Sequence, residues 1–502
     1  MQRVVFQKSS PLRWLEDFSP INASLVIAAI FSALLALAFL GGNWIQIVVV
    51  GMLPFVLYAI LRNTMMVFLI WVGTTPILSN FIRVNLGAGI PDVTVNRVAA
   101  LLLMLVLLFQ VATKMRQAPK FHAVEWAMAA VFLMILPAIG RAVDPVQAGQ
   151  QVFDNLLTPF IVFFLSKNLI TGKDEIRPLV WTLGFVTLYC AVLGFQEHYT
   201  EYSLFTESHE LYWRQEGLAD RIQGPFESPQ ILGSVMVGGV VFFFYQFINA
   251  SSKAMRIFSL IILVIHTFVT YWTYRRSVWM GYFATLLFLG IVEKRSRRTL
   301  AVLVVVTIIA VIANWPEISQ SEIFQKRVAN ERTINDRVVV WMTSWEIIRH
   351  FPLFGTGLNW FGHYFQRYFT FFGHTVTTDF AHDITSAHNS YIRLWVEGGP
   401  ILALPYLAMV FMMSWRALQI LRGKIIHPTV GTMETMVFVG VFLTQYVQAL
   451  TTDIVFHGQY SAILIFLIAG VLFQKSEAAP AVRRKQAGLI PFLGGLAKKR
   501  AP

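Results

Sequence analysis

Two sites rich in arginine could bind a phosphate group. Arg275 and Arg276 form an adjacent pair between two long apolar runs, and Arg221 opens the stretch RIQGPFESPQ at 221–230, just before another apolar run. A guanidinium stays ionised at physiological pH and donates paired hydrogen bonds to phosphate oxygens. Charges at such a boundary are costly unless they face water, a cavity or an anion, although a single arginine more often only reaches lipid headgroups. Both sites are therefore candidates for binding an anionic substrate.

A histidine in the C-terminal half could act as a general base. His388 lies in the stretch AHNSYIRLWVEGG at 387–399, which reads as a short helix closed by glycine with the histidine near its start. The ordinary pKa of a histidine is near 6.5, so a neutral imidazole can accept a proton at physiological pH. Glu397 is a candidate orienting or structural partner. A histidine–asparagine pair on a helix is more often structural, so the residues alone leave both interpretations open.

The same region contains other residue types that bind metals, namely His350, His363, His374, Asp379, His382 and Asp383. Their spacing matches neither a zinc signature nor a calcium loop. The sequence also contains no P-loop, dinucleotide fingerprint, Gly-x-Ser-x-Gly or Asp-x-Asp motif. The single cysteine, Cys190, lies in an apolar run, which excludes an intrachain disulfide and a thiolate metal cluster. The sequence thus predicts no metal site, no cofactor and no nucleotide-dependent reaction.

A membrane-embedded helical fold must position these residues. Of the 502 residues, 56% are apolar and 13% are charged, and the mean hydropathy is +0.60. A soluble domain carries about 25% charged residues, so a water-soluble fold is excluded. Apolar stretches recur along the chain and predict an all-α, polytopic transmembrane helical bundle of about fourteen spans. The predicted spans are Ile21–Leu40, Trp44–Leu61, Thr64–Leu78, Val98–Thr113, Ala123–Ile139, Val152–Ser166, Leu179–Gln196, Ile231–Ile248, Ile257–Thr273, Ser277–Val292, Leu300–Asn314, Pro400–Trp415, Met433–Leu450 and Tyr460–Phe473.

The distribution of charge orients the predicted bundle. When the loops are assigned alternately to the two sides of a membrane, most of the 40 Lys and Arg residues fall on one side. This asymmetry predicts that this side is cytoplasmic and that both termini lie there. Basic clusters such as the one at 483–485 then need only anionic membrane lipids, and no nucleic acid, as partners. All of the candidate site residues fall in the outer loops.

Two outer loops are long enough to carry function, residues 197–230 and residues 315–399. In the second loop, apolar residues at helical spacing predict an amphipathic helix, and they are Ile334, Val338, Trp341, Trp345 and Ile348. Seven aromatic residues between Phe361 and Phe372 predict a further segment at the membrane interface. This loop is therefore predicted to form a helical periplasmic cap. The predicted organisation is residues 1–196 for transmembrane helices 1–7, residues 197–314 for an outer loop and helices 8–11, residues 315–399 for the cap, residues 400–474 for helices 12–14, and residues 475–502 for a basic cytoplasmic tail.

Four segments resemble motifs of the bacterial O-antigen ligase and Wzy-type polymerase superfamily. Residues 221–230 resemble the pattern Arg-x-x-Gly-x-Phe-x-Asn-Pro-Asn, with Ser228 and Gln230 at the two asparagine positions. Residues 274–280 resemble Ser-Arg-Gly/Ser-x-Trp-Leu, with Arg276 at the position of the family's arginine. These two segments supply the arginine sites described above.

The other two segments lie in the 315–399 loop. The third begins with Arg337 and Trp341 and continues to PLFGTGLNWF at 352–361. The fourth is HNSY at 388–391 with Glu397, which resembles the pattern His-Asn-x-x-Leu-x-x-x-x-Glu-x-Gly. Each pattern fixes few positions, but their order and spacing together are specific. The resemblance covers roughly residues 200–420.

The resemblance implies a GT-C type fold and a glycosyltransferase without metal or cofactor. Such enzymes move a glycan from undecaprenyl diphosphate to a hydroxyl of an acceptor glycan or of lipid A core, on the periplasmic side of the bacterial inner membrane. It implies that His388 accepts the hydroxyl proton, that Arg221 and Arg276 bind the leaving diphosphate, and that the anomeric configuration inverts. The remaining predicted substrate-binding residues are Arg275, Arg337, Asn389, Tyr391 and Glu397.

Several functional alternatives stay open at the level of sequence. Ligases and polymerases of this superfamily share the motifs, and the number of spans and the long aromatic cap favour an O-antigen or exopolysaccharide polymerase. A transporter or flippase for lipid-linked sugars would also need arginines near a diphosphate, but transporters usually show internal repeats and charges near the membrane midplane. A structural scaffold of an envelope complex would give His388 no role.

Overall fold

The computed structural model describes residues 60–81, 92–117, 120–204, 221–226, 228–293, 332–369 and 386–474, together with a few short pieces between and beyond them. The contacts divide the chain into residues 1–67 and residues 68–502. The first unit is described only at residue 58 and residues 60–67, where the first helix begins. The second unit contains every other element described below.

Most of the described chain is helical. In the N-terminal half the helices are α1 (Thr64–Phe81), α2 (Val95–Ala112), α3 (Ala123–Gly140), α4 (Pro145–Val152), α5 (Thr158–Leu169) and α6 (Lys173–Thr200). In the C-terminal half they are α7 (Pro229–Asn249), α8 (Lys253–Trp272), α9 (Arg276–Val292), α10 (Trp315–Gln320), α11 (Arg332–His350), α12 (Phe361–Tyr368), α13 (Ser390–Leu421), α14 (Thr432–Gln448), α15 (Ile454–His457) and α16 (Gln459–Leu472). Two antiparallel pairs of two-residue strands complete the elements, β1 (Arg83–Val84) with β2 (Val93–Thr94) and β3 (Ile425–Ile426) with β4 (Glu477–Ala478).

Seven of the described helices are long and apolar enough to cross a membrane, and three shorter apolar helices accompany them. The prediction of an all-helical membrane protein is therefore confirmed. The described helices coincide with the predicted spans from Thr64–Leu78 to Ser277–Val292 and with those after Pro400. The predicted span Ile21–Leu40, most of Trp44–Leu61 and most of Leu300–Asn314 lie outside the described residues, so the total of about fourteen stays a prediction.

The sixth predicted span is a composite helix. Asp144 caps the start of α4, where its carboxylate accepts two backbone N–H groups at 2.9 and 3.0 Å. Helix α4 continues into α5 through a π-helical turn at Phe153–Leu157. In this turn Asp154 accepts two hydrogen bonds from Arg97 of α2, at 2.8 and 2.6 Å. π-Helical turns are rare and recur at functional sites, and this one packs beside α15 and α16.

Helix α7 lies at the centre of the described bundle. Its residues from Pro229 to Tyr245 are nearly all buried, and it packs against α6, α8, α9 and α14. Ser228 caps its start, because the Ser228 hydroxyl oxygen accepts the backbone N–H of Gln230 at 3.3 Å. The segment before α7, which contains Arg221, is thereby held at one end of the bundle.

The predicted amphipathic helix of the 315–399 loop is confirmed as α11. Val338 is 45% exposed and Trp345 is 57% exposed, whereas Thr343, Ser344 and Ile347 are fully buried. Trp341 and Ile348 of the apolar pattern pack against a buried apolar cluster. Small hydroxyl residues are also buried, since a helical serine can satisfy its own hydroxyl by donating to a carbonyl one turn earlier, as Ser344 does at 2.6 Å.

The aromatic segment that follows supplies the core of the cap, which we define as α11, α12 and the chain between them. Phe361 and Phe365 of α12 are fully buried, and their rings stack with centroids 5.8 Å apart. They pack with Val340, Ile347 and Ala387 in one apolar cluster. Burial within the cap therefore accounts for these two aromatic residues. The end of the predicted interfacial segment, residues 370–372, lies outside the described residues.

Candidate active site

The turn before α7 holds Arg221 beside the end of α8. Glu197 accepts the backbone N–H groups of the two residues after Ile222, at 3.0 and 2.6 Å. The backbone N–H of Ile222 donates to the carbonyl of Trp272 at 3.4 Å. Since Trp272 ends α8 three residues before Arg275, both arginine sites of the sequence lie at the same end of the bundle.

Arg275 and Arg337 lie close enough to His388 for their charges to act on it, and Arg276 lies close enough to act on Arg337. Arg275 stands at the cap position of α9, Arg276 is the first residue of α9, and Arg337 comes from α11 of the cap. Burial, and then the charge of Arg276, lowers the pKa of the Arg337 guanidinium. The charges of Arg337 and Arg275 in turn lower the pKa of the His388 imidazole. All three arginines are half-buried. The positive charges of neighbouring arginines repel each other, so the cluster favours an anionic ligand.

His388 has an unusual backbone conformation. Its φ is +46°, in the left-handed region that residues other than glycine rarely adopt, and such conformations cluster at functional sites. The side chain keeps an exposed surface, yet the surrounding protein removes enough water that burial lowers its pKa. Asp453 raises this pKa, while Arg337 and Arg275 lower it further. The net direction is downward, so the imidazole is neutral at pH 7, the form that a general base needs.

The start of α13 is fixed by a helix cap and by the loop that follows α14. Asn389 is the cap residue, and its side-chain oxygen accepts two backbone N–H groups of the first turn at 3.0 and 3.1 Å. Its amide nitrogen donates to the carbonyl of Leu450 at 3.0 Å. The hydroxyl of Ser390 donates to the carbonyl of Thr452 at 2.8 Å. These bonds hold His388, the residue before the cap, against the loop after α14.

Asp453 is a site residue that the sequence motifs did not reveal. It is 8% exposed, it directly precedes α15, and its charge acts on His388. Within the described residues, neither of its carboxylate oxygens accepts a hydrogen bond, and a guanidinium nitrogen of Arg393 lies 3.7 Å away. Burying a carboxylate is costly without such a partner. The signal in the sequence was a lone acidic residue in the short loop between the last two predicted spans.

The carboxylate of Glu397 is occupied by other partners. Glu397 is fully buried; one of its oxygens accepts from Arg393 at 3.1 Å and the other accepts the backbone N–H of Asn359 at 3.1 Å. Of the two roles considered for Glu397, these contacts favour the structural one. Asp453 is the carboxylate whose charge acts on His388.

A glycine-containing segment of the cap, residues 353–359, lies tightly against α13. Two of its backbone N–H groups donate to the carbonyls of Val396 and Glu397, at 2.8 and 3.0 Å. At Gly399 the helix is interrupted, with φ at +66°, and an added Cβ would lie 2.0 Å from the carbonyl oxygen of Leu353. The predicted short helix closed by glycine is therefore confirmed. Beyond the break, the helix continues as a candidate membrane span.

The structure brings together most of the predicted site residues. Arg275, Arg276, Arg337 and His388 form the cluster, and Arg221 is held near it by the turn before α7. The other predicted residues, Asn389, Tyr391 and Glu397, follow His388 in the chain, and their polar groups bind other parts of the protein. The bonds of Asn389 and Glu397 are described above, and the Tyr391 hydroxyl donates to the carbonyl of Tyr446 at 3.0 Å. Their contact with substrate stays a prediction. Of the metal-binding residue types noted in the sequence of the 315–399 loop, His374, Asp379, His382 and Asp383 lie outside the described part.

The described side chains can bind an oxyanion and accept a proton. Guanidinium groups provide the first capacity, and a neutral imidazole beside a carboxylate provides the second. No group of three or more His, Cys, Asp or Glu side chains able to hold a metal ion occurs among the residues that the structure describes.

Residues 258–407 match the family model described as O-antigen ligase. In this region the chain is similar to the O-antigen ligase family. The match supports the resemblance to the O-antigen ligase and Wzy-type polymerase superfamily, and it includes the arginine pair, the cap and His388 but neither Arg221 nor Asp453. Among curated proteins, no sequence matches this chain. The chain is thus a multi-pass membrane protein, and the region that is similar to O-antigen ligases contains most of its candidate active site.

Proposed function

We propose that this protein is a membrane glycosyltransferase that moves a glycan from undecaprenyl diphosphate to a sugar hydroxyl, on the periplasmic side of the bacterial inner membrane. The observation that carries the proposal is the cluster in which Arg275 and Arg337 act on a neutral His388 and Arg276 acts on Arg337. The region that matches the O-antigen ligase family model contains all four residues. The cations can bind the diphosphate of the donor, and the base can accept the proton of the acceptor hydroxyl.

The arginines act on the leaving group. During transfer the bond between the anomeric carbon and the diphosphate oxygen breaks, and its electron pair stays on that oxygen. Negative charge therefore grows on the diphosphate in the transition state, where fixed guanidinium groups stabilise it most. We assign this role to Arg276 with Arg221, and a supporting role to Arg275 and Arg337. The half-buried position of the cluster strengthens the attraction relative to water.

His388 acts on the acceptor. The acceptor hydroxyl oxygen forms the new bond to the anomeric carbon, and its proton passes to the neutral imidazole. The Ser386 hydroxyl lies 3.4 Å from Nδ1, so we assign proton transfer to Nε2. Asp453 favours the resulting imidazolium through its negative charge. The acceptor attacks opposite the leaving diphosphate, so the anomeric configuration inverts in one displacement without a metal ion.

A direct test replaces the base and the leaving-group cation separately. His388→Gln and Arg276→Ala in the purified enzyme should each lower the transfer rate by about 10² to 10⁴-fold, because a general base or a charge-assisted contact is lost. Arg349→Ala is the matched control, since Arg349 is 65% exposed on α11 and pairs only with Glu346 at 3.3 Å among the described residues. Near-normal transfer by either site variant would remove the role assigned to that residue.

Within this reaction class we favour a polymerase, whose acceptor is a second lipid-linked glycan. Such an enzyme must hold two polyprenyl diphosphates, and three clustered arginines beside Arg221 offer cations for both. The description of the matching family, O-antigen ligase, favours the second candidate, transfer to lipid A core. One purified repeat unit on undecaprenyl diphosphate, without lipopolysaccharide, should give a ladder of longer chains. Reaction only after lipid A core is added would establish the ligase instead.

A further inference from the structure

Arg393 joins three parts of the protein behind His388. It lies in the first turn of α13 and is 5% exposed. Its Nε donates to Glu397 at 3.1 Å, one terminal nitrogen donates to the side-chain oxygen of Asn359 at 3.0 Å, and the other lies 3.7 Å from Asp453. These partners come from α13 itself, from the cap and from the loop after α14. A rigid guanidinium is suited to fixing three groups at once.

Asn359, the partner of Arg393 in the cap, is itself fixed by hydrogen bonds. Asn359 has a φ of +63°, and its backbone N–H donates to Glu397 at 3.1 Å. Its side-chain amide donates to Gln151 at 3.2 Å, two residues before the π-helical turn. The network therefore runs from the composite α4–α5 helix through Asn359 to Arg393. An ion pair between Arg393 and Glu397 alone would need none of these additional contacts.

Asp453, the partner of Arg393 on the active-site side, depends on Arg393 to compensate its negative charge. Arg393 faces two buried carboxylates, Glu397 and Asp453, so one guanidinium is shared between them. Asp453 makes no hydrogen bond within the described residues, and its 3.7 Å contact with Arg393 is its one ion pair among them. The Ser390 hydroxyl holds the residues on both sides of Asp453, because it donates to the carbonyl of Thr452 at 2.8 Å and accepts the backbone N–H of Val455 at 3.3 Å. Among the described residues, the charged groups that act on His388 are Asp453 from this loop, Arg275 from the start of α9 and Arg337 from α11.

We propose that Arg393 is a positioning residue for His388, because it fixes the carboxylate of Asp453 beside the imidazole, offsets part of its charge and ties this arrangement to Asn359 of the cap. The proposal rests on the proposed function of His388 as the general base. It assigns to Arg393 a role in the reaction that does not require contact with either substrate.

The test is the pH dependence of glycan transfer in a variant that removes the guanidinium without leaving Glu397 as an uncompensated charge. The double variant Arg393→Gln, Glu397→Gln keeps two hydrogen-bonding amides at this i, i+4 pair. Asp453 then loses its cation, so its full charge stabilises the protonated imidazole and raises the pKa of His388. Transfer requires the neutral imidazole, so activity is lost at the acidic side. The acid limb of kcat against pH should therefore move to higher pH.

Two further variants separate positioning from folding. Adding Asp453→Asn to the double variant removes the negative charge that the loss of Arg393 left uncompensated. The acid limb should therefore return to the wild-type pH or to a lower pH. Arg393→Lys keeps the charge but cannot contact Asn359, Glu397 and Asp453 at once. Its acid limb should stay near that of the wild type, while kcat falls by about 10²-fold with little change in KM, the cost of a misplaced catalytic group.

The control is the exposed pair on the cap, changed as Arg349→Gln, Glu346→Gln, which should alter neither kcat nor the acid limb. A soluble, monodisperse double variant whose acid limb coincides with that of the wild type would overturn the proposal, as would Arg393→Lys with full kcat. These results differ from a failure of the proposed function, which appears as transfer that persists in His388→Gln. With His388→Gln inactive and the acid limb unmoved, only the role of Arg393 is wrong.

Discussion

Gly399→Ala should detach the cap from the base-bearing part of α13. Gly399 has φ at +66° and ψ at −178°, a conformation that is essentially restricted to glycine and costs other residues about 1–3 kcal/mol. The new Cβ would lie 2.0 Å from the carbonyl oxygen of Leu353, so segment 353–359 must move away. That movement breaks its two backbone hydrogen bonds to Val396 and Glu397, each worth about 0.5–1.5 kcal/mol. The expected total loss of unfolding free energy is about 2–6 kcal/mol.

The measurement is thermal unfolding of the purified variant in detergent, together with its rate of glycan transfer. Gly149→Ala is the control, because no atom lies within 4 Å of its added Cβ and α4 is helical there. Alanine in a helix is more favourable than glycine by up to about 1 kcal/mol, so this variant should be as stable as the wild type or more stable. Gly399→Ala should unfold at a clearly lower temperature and lose most of its transfer rate. Equal unfolding temperatures for the two variants would refute the close packing of segment 353–359 on α13.

Three other predictions test orientation, phosphate recognition and metal dependence. Reporter fusions at Lys294 and Thr375 should lie on opposite sides of the membrane, as the asymmetry of Lys and Arg requires, and signals from one side would overturn the periplasmic orientation. Arg276→Lys should stay slow, because an ammonium cannot form the forked contact with a diphosphate; wild-type rates would show that charge alone suffices. Chelator treatment should leave the transfer rate unchanged, and activity restored by a divalent ion would instead direct attention to residues 379–383.

The helices could be predicted because a membrane demands long apolar runs. Each such run between Thr64 and Val292 is a helix in the structure, and so are the runs after Pro400. The gathering of Arg276, Arg337 and His388 was also accessible, since these residues belong to motifs on the same predicted side. Hydrophobicity and charge are properties of the local sequence, so predictions based on them do not require knowledge of the tertiary contacts.

The tertiary partners could not be predicted in the same way. Asp453 lies 65 residues after His388 in a short loop without a motif, and only the packing of α13 against the loop after α14 brings the two together. Arg393 has an obvious i, i+4 partner in Glu397, which hides its contacts with Asn359 and Asp453. On α11, tertiary packing buries Thr343 and Ser344 while Val338 and Trp345 stay exposed, which the apolar pattern alone does not reveal.

The break in α13 has a mechanical consequence for an enzyme in a fluid bilayer. The part before Gly399 is anchored to the cap and to the loop after α14, whereas the part from Pro400 to Leu421 is a candidate span. Spans change their tilt when the thickness of the surrounding lipid changes. An unbroken helix would pass that tilt directly to His388. Because α13 is interrupted at Gly399, we expect the geometry of the active site to depend less on lipid composition than it would in a continuous helix.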